Sequence, residues 1–278
     1  MPIRALRPLR KMRGGAQAYL FECSDEHFYV VKFTNNPQHR RVLTNEWIGS
    51  SFLSYLDIAT PAAAVIDVPA DMLAEHPEVC YQLGNKNIPV EPGWHFGSQY
   101  PGDPGRLAVY DYVPDPLLAQ VANTFDFRAA FVFDKWTGNA DSRQAIFFRA
   151  RLKDWTRTPG QKMGFVAQMM DNGYLFGGPN WTFADSPLQG IYFRRSVYSG
   201  VRSLDDFEPW LERIRNFPEE IVDDALKRIP SEWTEGDRDE LENLMHRLML
   251  RRKRVPELIR AAALSSARPF VNWGSGPV

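Results

Sequence analysis

The sequence predicts an α+β protein of two lobes: a small β-rich first part carrying one helix, then a mostly helical part with a small sheet. Three observations predict it. Two β-rich runs, residues 16–22 and 28–33, flank a short polar stretch near the start. An amphipathic segment follows over 41–56. After Pro114 the composition changes, and apolar residues recur mainly at helical spacing. With 278 residues, 44 % of them hydrophobic and 24 % charged, the chain can bury a core of this size.

Taken in order, Gly14-Gly15 opens a hairpin whose strands are the two β-rich runs, joined by Ser24-Asp25-Glu26-His27. The turn Asn35-Asn36-Pro37 precedes the helix, on which Ile48, Phe52 and Leu56 fall at i, i+4 and i+8. Residues 63–68 read as a strand. The stretch 69–105 is rich in Pro and Gly without a period and is expected to be irregular. A short strand over 107–113 closes at Pro114, and residues 117–136 read as one helix ending in the polar turn 137–141. Strands follow at 145–148 and 164–169, then the turn Asp171-Asn172-Gly173. From Leu204 the pattern is helical, with Phe207, Trp210, Leu211 and Ile214 on one face. A last helix is expected after Pro230, capped by Ser231 or Thr234 and running through Leu241, Leu244, Met245 and Leu248 into the basic run 251–254. The expected division is a first lobe over 1–113, a second over 114–273, and a flexible tail or cloning remnant over 274–278.

A formal net charge of -1 and a pI near 6.5 give no global reason to expect a nucleic-acid or membrane partner. The basic residues near the start and the cluster Arg247, Arg251, Arg252, Lys253, Arg254 read as solvated faces, the latter favoured at a helix C-terminus. Cys23 and Cys80 form no CxxC pair, which excludes a disulfide framework or zinc ribbon and suits a reducing cytosol. No apolar run approaches the roughly 18 residues of a membrane helix, so a cytoplasmic protein is expected. The five histidines lack metal-ligand spacing, and only His95, in the Gly-rich segment 93–98, is expected at a cleft.

The chemistry lies in an ordered series of polar residues. Phosphoryl transfer from ATP needs a loop over the phosphates, a cation to hold their charge, Mg²⁺ ligands and a carboxylate that orients the nucleophile. Gly14 and Gly15 would let backbone N–H groups approach phosphate oxygens, although the pair also suits a plain turn. Lys32 lies inside the apolar run Val30-Val31-Lys32-Phe33, where an ammonium must point outward or be paired; Glu46 on the following helix is its natural partner. The alternative is two separate surface charges. In Gly138-Asn139-Ala140-Asp141-Ser142-Arg143-Gln144, framed by Phe133, Trp136, Ile146 and Phe147, Asp141 would orient an attacking hydroxyl. Arg143 would steady the loop or the transferred group, and Gln144 or Asn139 would offer an amide oxygen to Mg²⁺. Asp171, at a strand end before Asn172-Gly173, would be a second metal ligand.

Taken together, Val-Val-Lys-Phe, Thr-Asn-Glu-Trp-Ile, Gly-Asn-Ala-Asp-Ser-Arg-Gln and Asp-Asn-Gly resemble the HipA-like kinases, bacterial relatives of protein kinases and phosphatidylinositol kinases. The resemblance extends to the stretches 56–61, 93–98 and 229–233. It implies a bilobal protein-kinase-like fold, Mg-ATP as cofactor, and serine/threonine phosphorylation of a protein, in some members as a toxin restrained by a separate antitoxin or regulator. It also implies Asp141 as catalytic aspartate, Asp171 as metal-binding aspartate, Lys32 as ATP lysine, and Asp111, Tyr112 and Val113 as adenine-binding hinge. One departure stands out: five residues after Asp141, where the family places a metal-binding Asn, this chain has Ile146. Either Gln144 replaces it or the register is that of Asp134 and Asn139; Asp141 is preferred because Asp134 lies in an apolar helical run. A nucleotide-binding protein without turnover and a lipid or small-molecule kinase of the same fold are the rival readings. The strings GxxxxGK[ST], GxGxxG and His-Gly-Asp are absent.

Overall fold

In the computed structural model, which describes residues 1–155 and 162–275, a five-stranded barrel forms the first lobe. Its strands are β1 (Ile3–Lys11), β2 (Tyr19–Cys23), β3 (Phe28–Lys32), β4 (Ala63–Val68) and β7 (Gly93–Gln99). Between them lie helices α1 (Arg41–Tyr55) and α2 (Ala70–Glu75) and a separate hairpin of β5 (Cys80–Leu83) and β6 (Lys86–Pro89). The barrel order is β1-β2-β3-β7-β4, closed by a short parallel pairing of β4 with β1. Period-two burial fills it: Tyr29 and Val31 of β3 point inward with Tyr19, Phe21, Ile66 and Val68, so Lys32 faces the other way.

Two barrel strands carry no usable sequence pattern. In β1 only Ala5 is buried, Arg4, Arg7, Arg10 and Lys11 face outward, and two register shifts against β2 break the alternation. The supposedly irregular stretch 69–105 contains β7, which pairs with both β3 and β4 and is therefore central. Its Gly97 blurs the strand signal but is required, because a Cβ there would lie 2.4 Å from Ile66 Cγ1.

After the barrel come β8 (Val109–Tyr110), shorter than expected, and α3 (Asp115–Leu118). The single helix expected over 117–136 is divided, and the main helix α4 spans Asp126–Thr137. Asn123 holds the break: its side chain donates to Asp126 Oδ2 and Ala167 O and accepts from Ala167 N–H, each at 2.8 Å. Strand β9 (Gln144–Arg151) pairs with both β8 and β10 (Met163–Met170) in a three-stranded antiparallel sheet. Helices α5 (Trp210–Arg215), α6 (Glu219–Lys227), α7 (Arg238–Arg251) and α8 (Val255–Leu264) complete the lobe around a large aromatic core.

Several expectations for this lobe are corrected. Helix α7 starts after Asp237 rather than at Ser231 or Thr234, because Ser231–Trp233 forms its own short turn. The Asp237 carboxylate is drawn to Arg41 of α1 at 2.6 Å. Within the basic run, Arg251 is buried and donates to the carbonyls of Lys135 and Trp136 and to Asp185. In the expected tail, Gly274 N–H donates to Arg202 O at 2.9 Å and Ser275 N–H to Asn272 O at 3.1 Å; the remaining tail positions lie outside the described residues. Among the described residues no helix is long and apolar enough to cross a membrane.

His95 is not at a cleft. It is fully buried inside the barrel, its Nδ1 accepting from Thr34 N–H at 3.1 Å and its Nε2 lying 3.0 Å from Glu91 O. Burial pushes its pKa from 6.5 to about 4. Because the folded value is depressed, the stability carried by neutral His95 is complete above pH 6.5 and is lost as pH falls toward 4. Urea unfolding of the wild type should therefore lose about 3 kcal/mol more over that window than His95→Gln, which cannot titrate. Equal losses in the two proteins would remove His95 as the cause.

Candidate functional site

A cavity of about 680 Å³ lies between barrel and second lobe, walled by Gly14, Gly15, Lys32, Glu46, Asp111, Asp141, Arg143, Gln144 and Asp171. The glycines sit at the tip of the β1–β2 hairpin, one hairpin earlier than the sequence suggested. Met12 N–H donates to Ala18 O at 2.7 Å and Gln17 N–H to Gly14 O at 3.1 Å, closing a compact loop. Gly14 has φ +118°, a conformation open to glycine at little cost. Arg10, Lys11 and Arg13 of the same hairpin also line the cavity, cations that the sequence offered only as surface charge.

Three segments meet at Lys32. Its Nζ donates to Glu46 Oε1 of α1 and, at 2.8 Å, to Asp171 Oδ1 just beyond β10. Lys32 and Glu46 are largely withdrawn from water, their side chains 13 % and 5 % exposed, and Asp171 is partly so at 30 %. Burial alone would lower the pKa of Lys32, but the carboxylates of Asp171 and Glu46 outweigh it and hold the ammonium above its usual range. Burial raises the pKa of Glu46, whereas the neighbouring Lys32 charge lowers that of Asp171. Glu46 Oε2 also accepts from Asn172 N–H at 3.0 Å. Asp171 stands at φ +63°, a left-handed conformation that Asp tolerates better than most residues, and this turns its carboxylate back toward Lys32. Next to it, Gly173 is required by close packing, since a Cβ would sit 2.7 Å from Val42 Cγ1. Asn45, missed as a functional residue, fastens the same turn to α1 by donating to Gly173 O at 2.8 Å.

The two candidate aspartates occupy opposite environments. Asp134 on α4 is completely buried and does not line the cavity. Its Oδ2 accepts from Arg143 Nε at 2.9 Å, and its Oδ1 from Arg143 Nη2 and from Asn139 Nδ2 at 3.0 Å. Arg143, itself buried, reaches on to Met170 O and Asn172 Oδ1, each at 3.0 Å. Asp141 is exposed on the cavity wall. Its backbone is held on both sides: its N–H donates to Asn139 Oδ1 at 3.1 Å and its carbonyl accepts from Gly190 N–H at 2.9 Å.

Other expected positions differ. Asn139, expected as a metal ligand, is buried off the cavity wall with its side chain bonded to Asp134 Oδ1 and to Asp141 N–H, whereas Gln144 is exposed on the wall. Of the hinge residues only Asp111 lines the cavity, together with Val109. Val113 is buried with its carbonyl accepting from Arg194, and Tyr112 lies on the surface under the Arg194 guanidinium, 4.7 Å away.

Around this point the ion pairs join two cations, Lys32 and Arg143, to three carboxylates, Glu46, Asp134 and Asp171. The oxygens of Asp171 and Gln144, both on the cavity wall, are hard donors of the kind a small divalent cation takes. No group of three or more His, Cys, Asp or Glu side chains forms a metal cage among the described residues.

A family model described as HipA-like kinase matches residues 7–146. No curated protein matches the chain. Solved structures that match include a crystal structure of the Golgi casein kinase, 11 % identical, covering 96 % of this chain and 73 % of that one with a TM-score of 0.48, and the Golgi casein kinase with Mn/ADP bound, 11 % identical, covering 96 % and 74 % with a TM-score of 0.45.

The contrast between the two aspartates can be measured as stability. Asp134→Ala leaves the buried Arg143 charge without its partner and should cost about 3–5 kcal/mol. Asp141→Asn, at an exposed site, should stay within about 0.5 kcal/mol of wild type. Urea denaturation of the three proteins checks both figures, and comparable losses would contradict the assignment of Asp134 to the frame.

Proposed function

Because this chain belongs to the HipA-like kinases, we propose that it transfers the γ-phosphoryl group of ATP, with Mg²⁺, to a serine or threonine hydroxyl of a protein. The meeting of Lys32, Glu46 and Asp171 at one cavity that also presents Asp141 carries this reading.

In it, Lys32 binds phosphate oxygens of ATP, and Glu46 fixes the direction of the ammonium. Gly14 and Gly15 bring backbone N–H groups over the phosphates, and Asp111 lies at the purine end. Asp171 and Gln144 hold Mg²⁺, which neutralises charge on the phosphates when bound. Asp141 orients the acceptor hydroxyl and takes its proton as the new O–P bond forms and the bond to the ADP leaving oxygen breaks. Arg143, although it reaches the cavity wall, acts as a positioning residue, since its donors are engaged by Asp134, Met170 and Asn172. The expected first lobe, 1–113, supplies the glycines, Lys32, Glu46 and Asp111, and the second, 114–273, supplies Asp141, Gln144 and Asp171.

One observation favours a second reading, a nucleotide-binding protein without turnover: Ile146 occupies the position where the family has a metal-binding Asn, so the second metal site rests on Gln144 alone. Incubating purified protein and cell lysate with radiolabelled Mg-ATP separates the two. The wild type should label itself or a lysate protein, and Asp141→Asn and Asp171→Asn should lower labelling by roughly 10²–10⁴-fold. Lys32→Met should weaken ATP binding as well as turnover. Nucleotide binding without any labelling would establish the second reading. An active Asp141→Asn beside an inactive but folded Asp134→Asn would reverse the choice of aspartate.

A further inference from the structure

Lys135 follows Asp134 on α4 and is 3 % exposed, yet among the described residues no carboxylate lies within ion-pair distance of it. Its Nζ donates to three main-chain carbonyls of one segment: Ser186 O at 3.2 Å, Pro187 O at 3.0 Å and Gln189 O at 2.7 Å. The remaining side of the ammonium faces the Phe131 ring, 5.1 Å from its centroid. Burying an unpaired ammonium is costly, and an apolar side chain could fill the same volume more cheaply. The arrangement therefore calls for a function of the segment it holds.

The next residue supplies one. Gly190 donates its N–H to the carbonyl of Asp141 at 2.9 Å. It has φ +68°, and a Cβ there would lie 2.2 Å from Asp134 Cβ, so the turn is wedged against α4 with no freedom to slide. The Asp141 N–H is fixed independently by Asn139. Loosening residues 186–189 would release one of the two backbone restraints on Asp141 and leave the other in place.

We infer that Lys135 is a positioning residue for Asp141, acting through the carbonyls of residues 186–189 and the N–H of Gly190. The inference rests on the reading of Asp141 given above. All three ammonium protons are engaged, and a neutral amine, with two, must let one carbonyl go. Burial pushes the Lys135 pKa down to about 8, against Asp134 of its own helix and Asp185 of the loop, while Arg251 of α7 adds to the lowering. The restraint is complete below that pH and weakens above it.

The test uses the purified full chain and measures release of inorganic phosphate from Mg-ATP to water between pH 6.5 and 9. Wild type, Lys135→Met, Lys135→Arg and Asp141→Asn are compared. Lys135→Met should lose roughly 10–100-fold in kcat while KM for ATP stays within about twofold, the pattern of a misplaced catalytic group rather than lost binding. Lys135→Arg, charged throughout, should recover most of that rate and lack the wild-type decline above pH 8. A folded Lys135→Met with wild-type kcat, or one altered only in KM, overturns the inference. So does a wild-type alkaline profile that Lys135→Arg reproduces, a comparison that holds even if Lys135→Met fails to fold. An active Asp141→Asn overturns the reading of Asp141 itself; if the wild type releases no phosphate to water, label transferred from Mg-ATP to protein is read in its place, with the same outcomes. An inactive Asp141→Asn beside a fully active Lys135→Met overturns the role of Lys135 alone.

Discussion

A lysine ammonium with little water around it must find negative charge, and in this protein the two carboxylates that answer Lys32 come from different parts of the chain. Glu46 is brought by α1, packed between barrel and second lobe, and Asp171 by the turn after β10. Desolvation makes the condition strict, because any one of the three left alone would be an uncompensated charge in a poorly hydrated site. The surroundings serve this meeting. Asn172 N–H holds the second oxygen of Glu46, and Asn45 anchors the turn to α1. Gly173 keeps the distance to Val42 small enough for the carboxylates to converge.

A second ionic unit sits one layer deeper and has a different physical character. Asp134 and Arg143 are both removed from solvent, and their donors and acceptors are taken up by Asn139, Met170 and Asn172. With three acceptor sites taken and no exposure on the cavity, this carboxylate is out of reach of an incoming group. What it does offer is rigidity, since the same arginine ties α4 to the end of β10 and to the residue beside Asp171. Asp141, a few positions along, has the opposite endowment: fixed backbone, exposed carboxylate and a place on the cavity wall. Two aspartates near each other in the chain are thus separated by burial into a structural and an available group.

Much of this was legible from local pattern. The β2–β3 hairpin, strand β4 at residues 63–68 and the strands within β9 and β10 were foreseen from β-rich composition between turn residues, and helix α1 from its 3.6-residue period. The Lys32–Glu46 contact was foreseen because an ammonium inside an apolar strand needs a partner nearby in the chain. Strand β1 escaped because only one of its residues is buried, and β7 because Gly93 and Gly97 read as loop. The long helix predicted before Asp141 is broken where Asn123 bonds to β10, a partner distant in sequence.

By itself the sequence determined which residues are chemically able to act, since side-chain type and local period are properties of neighbouring positions. It also determined the order of strands and helices wherever one face is apolar. Only the tertiary structure decided that the barrel closes through β1 and β7, that Asp134 turns inward while Asp141 faces the cavity, and that Asn139 bonds to both of them. It alone joined Lys135 of α4 to the carbonyls that precede Gly190. The reason is common to all of these. Burial and hydrogen-bond satisfaction are set by contacts between segments far apart in the chain, Lys32 and Asp171 being 139 positions apart, and no local period records them.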